Sequence, residues 1–118
     1  AEETGKTNFD AKNKVLLPKA VYEKSGAKNY HIYNQYIVRV DKRDELRDFL
    51  TKNEIGSEIY YPVPFHLQEC FKDLGHKKGD FPISEFSADK SLALPIYPEL
   101  SDGQLVYVVE TIKKFFNQ

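Results

Sequence analysis

Apolar residues fall along this chain in short clusters whose spacing changes from two to three or four and back, which predicts strands alternating with helices. Val15-Leu16-Leu17 is a compact run stopped by Pro18 and reads as a short strand. Residues 18–32 read as irregular, with a turn at Ser25-Gly26. From Tyr33 to Val40 the run YNQYIVRV is rich in aromatic and β-branched residues. Alternation places Asn34, Tyr36, Val38 and Val40 on one face, and Tyr33, Gln35, Ile37 and Arg39 on the other. Asp41 then serves as an N-cap, with Asp44 and Glu45 in the positive first turn of a helix. Leu46, Phe49 and Leu50 form its apolar side, and Asn53 closes it in the left-handed conformation. Ser57–Tyr61 is short and extended up to Pro62.

Leu67, Cys70, Phe71 and Leu74 stand at i, i+3, i+4 and i+7, predicting one helix from Phe65 to Leu74 that Gly75 ends. Asp80 with Pro82 opens a further helix carrying Ile83 and Phe86, and Leu92–Leu94 is extended before Pro95. Ser101 and Gln104 make a capping box. The last helix has an apolar stripe of Leu105, Val108, Val109, Ile112 and Phe116. The order β-β-α-β-α-α-β-α gives an α+β fold, a small and mostly antiparallel sheet with helices covering one face. A crossover between 33–40 and 57–61 is right-handed if those strands run parallel. Residues 1–14 are polar and read as a flexible segment ahead of a single domain at 15–118.

Composition narrows this picture. At 118 residues the chain has room for one domain, and 41% hydrophobic against 30% charged residues supports a real core. A net charge of −1 lacks the basic excess that nucleic acid binding calls for. No apolar run reaches the roughly 18 residues needed to cross a bilayer, so no membrane partner is expected. The opening AEETGKTNFD is polar and acidic, unlike a signal peptide. A single cysteine, Cys70, excludes an internal disulfide and suits the cytoplasm. The chain starts at Ala and contains no Met, as a piece of a longer polypeptide does, or a processed or engineered start.

Most of the chemistry one can look for is absent. His31, His66 and His76 lack the spacing of a zinc site, so no metal is expected. The segment GHKKG follows a helix and lacks the Lys-Ser/Thr ending of a phosphate-binding loop. There is no GxSxG elbow, and Cys70, on an apolar stripe, reads as a packed small hydrophobe. Eight Tyr and eight Phe read as core and interface, since a base-stacking platform works with a positive groove. One segment stands apart, GSEIYYPVPFHLQ at 56–68. Its prolines fix φ, so Tyr60, Tyr61 and His66 can be presented to a ligand at little ordering cost. On an extended backbone Tyr60 and Tyr61 point to opposite faces, so at most one meets the core. His66, in a helix first turn, is expected as a neutral imidazole. The plainer alternative is a stiff corner with its tyrosines packed on the sheet.

Three stretches then resemble one family. HIYNQYIVRV fits the pattern HxYxQYxxR, NEIGSEIYYPVPFHLQ fits GIGxxxxYPxPxHLQ, and ALPIYPEL fits LPxYPEL, in order and at the usual spacing. Together they resemble the C-terminal part of the DegT/DnrJ/EryC1/StrS aminotransferases over about residues 15–116. The resemblance implies an enzyme dependent on pyridoxal 5'-phosphate that moves an amino group, usually from glutamate, to a nucleotide-linked keto-sugar in amino-sugar or polysaccharide biosynthesis. It implies that this chain is the small domain, partnered by an N-terminal large domain that carries the cofactor and its lysine. It further implies a homodimer with sites at the subunit interface. No cofactor and no catalytic residue are expected on this chain, which should be inert alone. By resemblance Tyr61 and His66 match motif residues on the substrate side. Tyr60 replaces a histidine, keeping a hydrogen-bonding tip but losing a cationic contact. The alternatives are a free-standing α+β ligand-binding module and a dimerisation module, both without enzymatic activity. The small-domain reading expects exposed rings at Tyr60, Tyr61, Phe65 and around Ile96-Tyr97.

Overall fold

The alternating run after Gln35 does form a strand, and everything else is arranged on it. In the computed structural model, which describes residues 2–3, 9 and 14–117, the strands are β1 (Glu2–Glu3), β2 (Val15–Leu17), β3 (Tyr36–Val40) and β4 (Ser91–Leu94). The helices are α1 (Arg43–Lys52), α2 (Pro82–Lys90) and α3 (Asp102–Phe116). Of the segment 1–14, only Glu2, Glu3, Phe9 and Lys14 lie within the described residues. The sheet runs in the order β1-β2-β3-β4, with β1–β2 parallel and the other two pairs antiparallel. β3 begins at Tyr36 and not at Tyr33, because Tyr33 takes a positive φ of 46° that no strand continues through.

Register sorts the side chains as the alternation predicts. Val38 pairs with Leu92 and Ile37 with Ala93. Val38, Val40 and Leu92 are buried with Leu46 and Leu50 of α1 and with Ile55. Each such leucine contributes about 1.5–3 kcal/mol by leaving water. α3 closes this core with Val108, Ile112, Phe115 and Phe116. Leu105 and Val109, expected in that stripe, are exposed, since the first half of α3 runs past the edge of the core. The opposite face is covered as well. Ile37 and Ala93 face Ser84, Ser87 and Ala88 of α2 across a cavity, and Arg39 lies over the Phe86 ring. Helices therefore cover both faces of the α+β sheet. The extended stretch at 57–61 contributes one antiparallel bridge, Glu58 to Ala93 of β4, and β4 pairs directly with β3, so among the described residues 57–61 is not a parallel partner of 33–40.

The helix ends show local chemistry at work. The capping box of α3 is present: Ser101 Oγ accepts from the Gln104 amide at 3.3 Å, and Gln104 Oε1 accepts from the Ser101 amide at 2.9 Å. Asp41 does not cap α1. The chain reverses at Lys42, which has a φ of 54° and holds the N-cap position without a side-chain bond, while the Asp41 carboxylate lies 3.7 Å from Lys90 Nζ. Asn53 is right-handed, and the left-handed residue is Glu54. α2 is entered through Phe81, not Asp80. Arg43 donates to the carbonyls of Ala88 and Ser91 at 2.8 and 3.4 Å, joining α1 to the end of α2.

Phe65–Leu74 is not one helix. It is two 3₁₀ turns, Phe65–Leu67 and Glu69–Leu74, separated by an extended Gln68. Leu67, Phe71, Leu74 and Cys70 are all exposed, so Cys70 is not the packed hydrophobe its spacing suggested. With the stripe exposed, no apolar surface among the described residues rewards an α-helical face. Among the described residues, no helix is long and apolar enough to cross a membrane.

Candidate functional site

The proline corner is built outward from the sheet. Glu58 exchanges both backbone bonds with Ala93, at 2.8 and 3.1 Å, which fixes where the segment leaves β4. Pro62 and Pro64 then limit φ and supply no amide, so the chain projects instead of pairing. Beyond them, Leu67 donates to the Pro64 carbonyl and Gln68 to that of Phe65, while Gln68 Nε2 reaches back to the Val63 carbonyl at 3.2 Å. The corner is thus rigid within itself.

Tyr60 is 50% exposed, Tyr61 72% and Phe65 70%. Neither tyrosine enters the core, and their ring centroids are 6.5 Å apart. Ile96 and Tyr97 are also exposed, as the small-domain expectation requires. His66 behaves differently. It is only 9% exposed, its Nε2 lies 2.9 Å from Glu85 Oε1, and its ring sits 4.8 Å from that of Phe81. The structure brings Tyr60 and Tyr61 together at the surface and turns His66 inward. No helix dipole of consequence acts on His66, because its 3₁₀ turn spans three residues.

Glu85 is the residue that sequence reasoning missed. Its Oε1 accepts from the Gly79 amide at 2.7 Å as well as meeting His66. The Gly79 amide does most to hold this carboxyl below the usual carboxylate range, with His66 and the Phe81 amide adding and burial opposing. The one signal in the sequence was an acidic residue in the first turn behind Pro82. A second group comes together at the entrance to β3. His31 stacks on Tyr33 at 4.1 Å and Tyr33 on Tyr36 at 5.7 Å, all within HxYxQY. Burial, then Tyr33, raises the Tyr36 hydroxyl above its ordinary value.

Among the cavities at the corner, two reach from it to the sheet, and Tyr60 lines both. The one under α2 is about 260 Å³ and mostly apolar, walled by Ile37, Ile59, Val63 and Ala93 with the hydroxyls of Ser84 and Ser87. The second is wider, about 690 Å³, between the 54–58 loop, Pro95–Tyr97 and the start of α3. Asn34, Gln35, Gln104, Tyr97 and Tyr107 supply amides and hydroxyls to it, and Ser57 Oγ is buried at its wall without a partner. Glu54 and Glu58 are its charged groups, and among the described residues no lysine or arginine lines either cavity. Such a lining sets hydrogen-bonding amides and hydroxyls and aromatic rings beside two carboxylates.

Comparison with known proteins identifies the family. The sequence model of the DegT/DnrJ/EryC1/StrS aminotransferase family matches residues 6–113. A protein of Geobacillus stearothermophilus named "Pleiotropic regulatory protein" is 47% identical over 102 residues, which is 86% of this chain and 26% of that protein. The dTDP-3-amino-3,4,6-trideoxy-alpha-D-glucose transaminase of Streptomyces venezuelae is 32% identical over 84 residues, 71% of this chain and 22% of that enzyme. In structure, a DegT DnrJ EryC1 StrS aminotransferase from Brucella abortus superposes with a TM-score of 0.74 at 31% identity, covering 91% of this chain and 27% of that one. The chain spans about a quarter of the length of these relatives. With three motifs in order, a family match over nearly its whole length and the same fold, this chain belongs to the DegT/DnrJ/EryC1/StrS aminotransferase family.

Proposed function

We propose that this chain is the small C-terminal domain of a cytoplasmic aminotransferase that uses pyridoxal phosphate to aminate a nucleotide-linked keto-sugar, with glutamate as the amino donor. The observation that carries the reading is the corner: Tyr60 and Tyr61 are held out on a proline-fixed backbone between two cavities, where burial would have served stability better. In this role the domain covers the sugar nucleotide. Tyr60 and Tyr61 supply stacking area and hydroxyls to it, and His66 supports them from behind. The larger N-terminal domain of the same polypeptide is the partner, in a homodimer.

The cofactor does not fit on this chain by itself. Pyridoxal phosphate needs an amine for its Schiff base and donors for a dianionic phosphate. The wider cavity instead presents Glu54 and Glu58, and among the described residues no amine lines either cavity. No chemical step is therefore routed through these residues, whose work is enclosure and orientation.

Two assays test the proposal. The 118-residue chain, given cofactor, glutamate and a nucleotide-linked keto-sugar, shows no spectrophotometric turnover; turnover by the chain alone overturns the reading. In the full-length enzyme, Tyr61→Ala raises the sugar-nucleotide KM by about tenfold while the glutamate half-reaction keeps its rate. An equal effect on both half-reactions removes Tyr61 from the substrate side.

A further inference from the structure

Glu85 joins three stretches that are otherwise separate. Its Oε1 meets Nε2 of His66, nineteen residues away, at 2.9 Å and accepts from the Gly79 amide at 2.7 Å, while its own backbone lies in α2. The His66 and Glu85 side chains retain only 6% and 15% of their accessible surface. Phe81 completes the packing, contacting the His66 ring on one side and the His76 ring, edge-on at 5.0 Å, on another. A short charge-assisted bond away from water is worth more than a surface ion pair.

The corner lacks any comparable tether. Pro62 and Pro64 donate nothing, and the bonds of Leu67, Gln68 and the Gln68 side chain all return to residues 63–65. Among the described residues, His66 to Glu85 is the one hydrogen bond that links residues 60–67 to an element outside the stretch 58–75. Internal stiffness fixes the shape of the corner, not its placement. Downstream of the Glu58–Ala93 bridge, Ile59 packs against the core, and beyond it the directional contacts to another element are this bond and the Phe81 contact.

We infer that Glu85 is a positioning residue, which acts through His66 to set where Tyr60 and Tyr61 stand against the sugar nucleotide. The inference rests on the function proposed above and deepens it. It explains why a histidine inside the YPxPxHLQ pattern faces inward while its tyrosine faces out. It also assigns a role to Glu85, which touches neither cavity.

The test has two arms. In the full-length enzyme, Glu85→Ala raises the sugar-nucleotide KM by about tenfold, lowers kcat much less, and leaves the glutamate half-reaction unchanged. Glu85→Gln, whose amide oxygen still accepts both bonds, stays within about threefold of wild type and guards against simple misfolding. Adding Glu85→Ala to His66→Ala produces no further rise, because the two act as one unit. An additive double variant, or a Glu85→Ala that alters both half-reactions alike, overturns the inference. In the 118-residue chain, Glu85→Ala speeds amide exchange at Leu67 and Gln68 but not in α1; unchanged exchange overturns the tether whatever the enzyme does. A wild-type enzyme inactive on sugar nucleotides overturns the proposed function and the substrate half of this inference, while the exchange arm still decides the tether.

Discussion

Glu54 has a φ of 58°, a left-handed conformation that costs an L-residue about 1–2 kcal/mol. The bonds around it show why it is there. Ile55 donates to the Leu50 carbonyl at 2.9 Å and Glu54 to that of Thr51 at 3.0 Å, and Ile55 packs with Leu50 in the core. These are the two bonds and the apolar contact of a Schellman ending, whose left-handed position usually belongs to glycine. Glu54 also holds the first place of the GIG step in the motif. Glu54→Gly relieves the strain and gives back part of it as chain entropy, so it raises stability by about 0.5–1 kcal/mol in urea unfolding. Glu85 makes a second prediction at this scale. Its folded-state carboxyl titrates below its ordinary value of 4.5, chiefly through the Gly79 amide. The stability it contributes is therefore complete above about pH 4.5 and is lost as pH falls through the lower folded value. Urea unfolding repeated from pH 7 to pH 3 gives a shallower loss for Glu85→Gln than for wild type below pH 4.5, and parallel curves show that the carboxylate has no such role.

Elements whose pattern agreed with an available core were legible in the sequence. The alternation at Tyr36–Val40 was rewarded by α1 on one face and α2 on the other, and Val108, Ile112 and Phe116 found the core they were spaced for. Ser101 could be read because a capping box is wholly local. Ser101→Ala removes the acceptor for the Gln104 amide and lowers stability by about 1 kcal/mol, measured by thermal or urea unfolding. Some misreadings are local, as at Tyr33, Asn53 and Asp80, and the larger ones concern a distant partner. The spacing of Leu67, Cys70 and Leu74 is three or four residues, which suits a 3₁₀ turn nearly as well as an α-helix, and only an opposing apolar surface separates them. For His66, the sequence offered the residue and its stiff backbone but not the direction of its ring. That depends on Glu85, which no periodicity connects to it. The Asp41 cap failed similarly, since the reversal at Lys42 turned its carboxylate toward Lys90.

At the scale of the molecule, what the fold leaves uncovered matters as much as what it buries. One core of six buried residues is closed by α1, the sheet and the second half of α3. The first half of α3 exposes Leu105, Val106 and Val109, and the neighbouring turn exposes Ile96 and Tyr97. Scattered apolar residues on a surface need no explanation, but Ile96 and Tyr97 also line the wider cavity, which reaches the tyrosine corner at Tyr60. The proposed small-domain role gives all of it one cover, the remaining three quarters of the length of the relatives. Solvent labelling separates that role from a free-standing module. Hydroxyl-radical footprinting of the 118-residue chain labels Tyr61, Val106 and Val109 strongly. In the full-length protein Val106 and Val109 lose that labelling through domain contact, whereas Tyr61 loses it only when the sugar nucleotide is added, because it faces the substrate and not the interface. Equal labelling of all three residues in both forms means the surface has no intramolecular cover, and the domain is then a module that works alone.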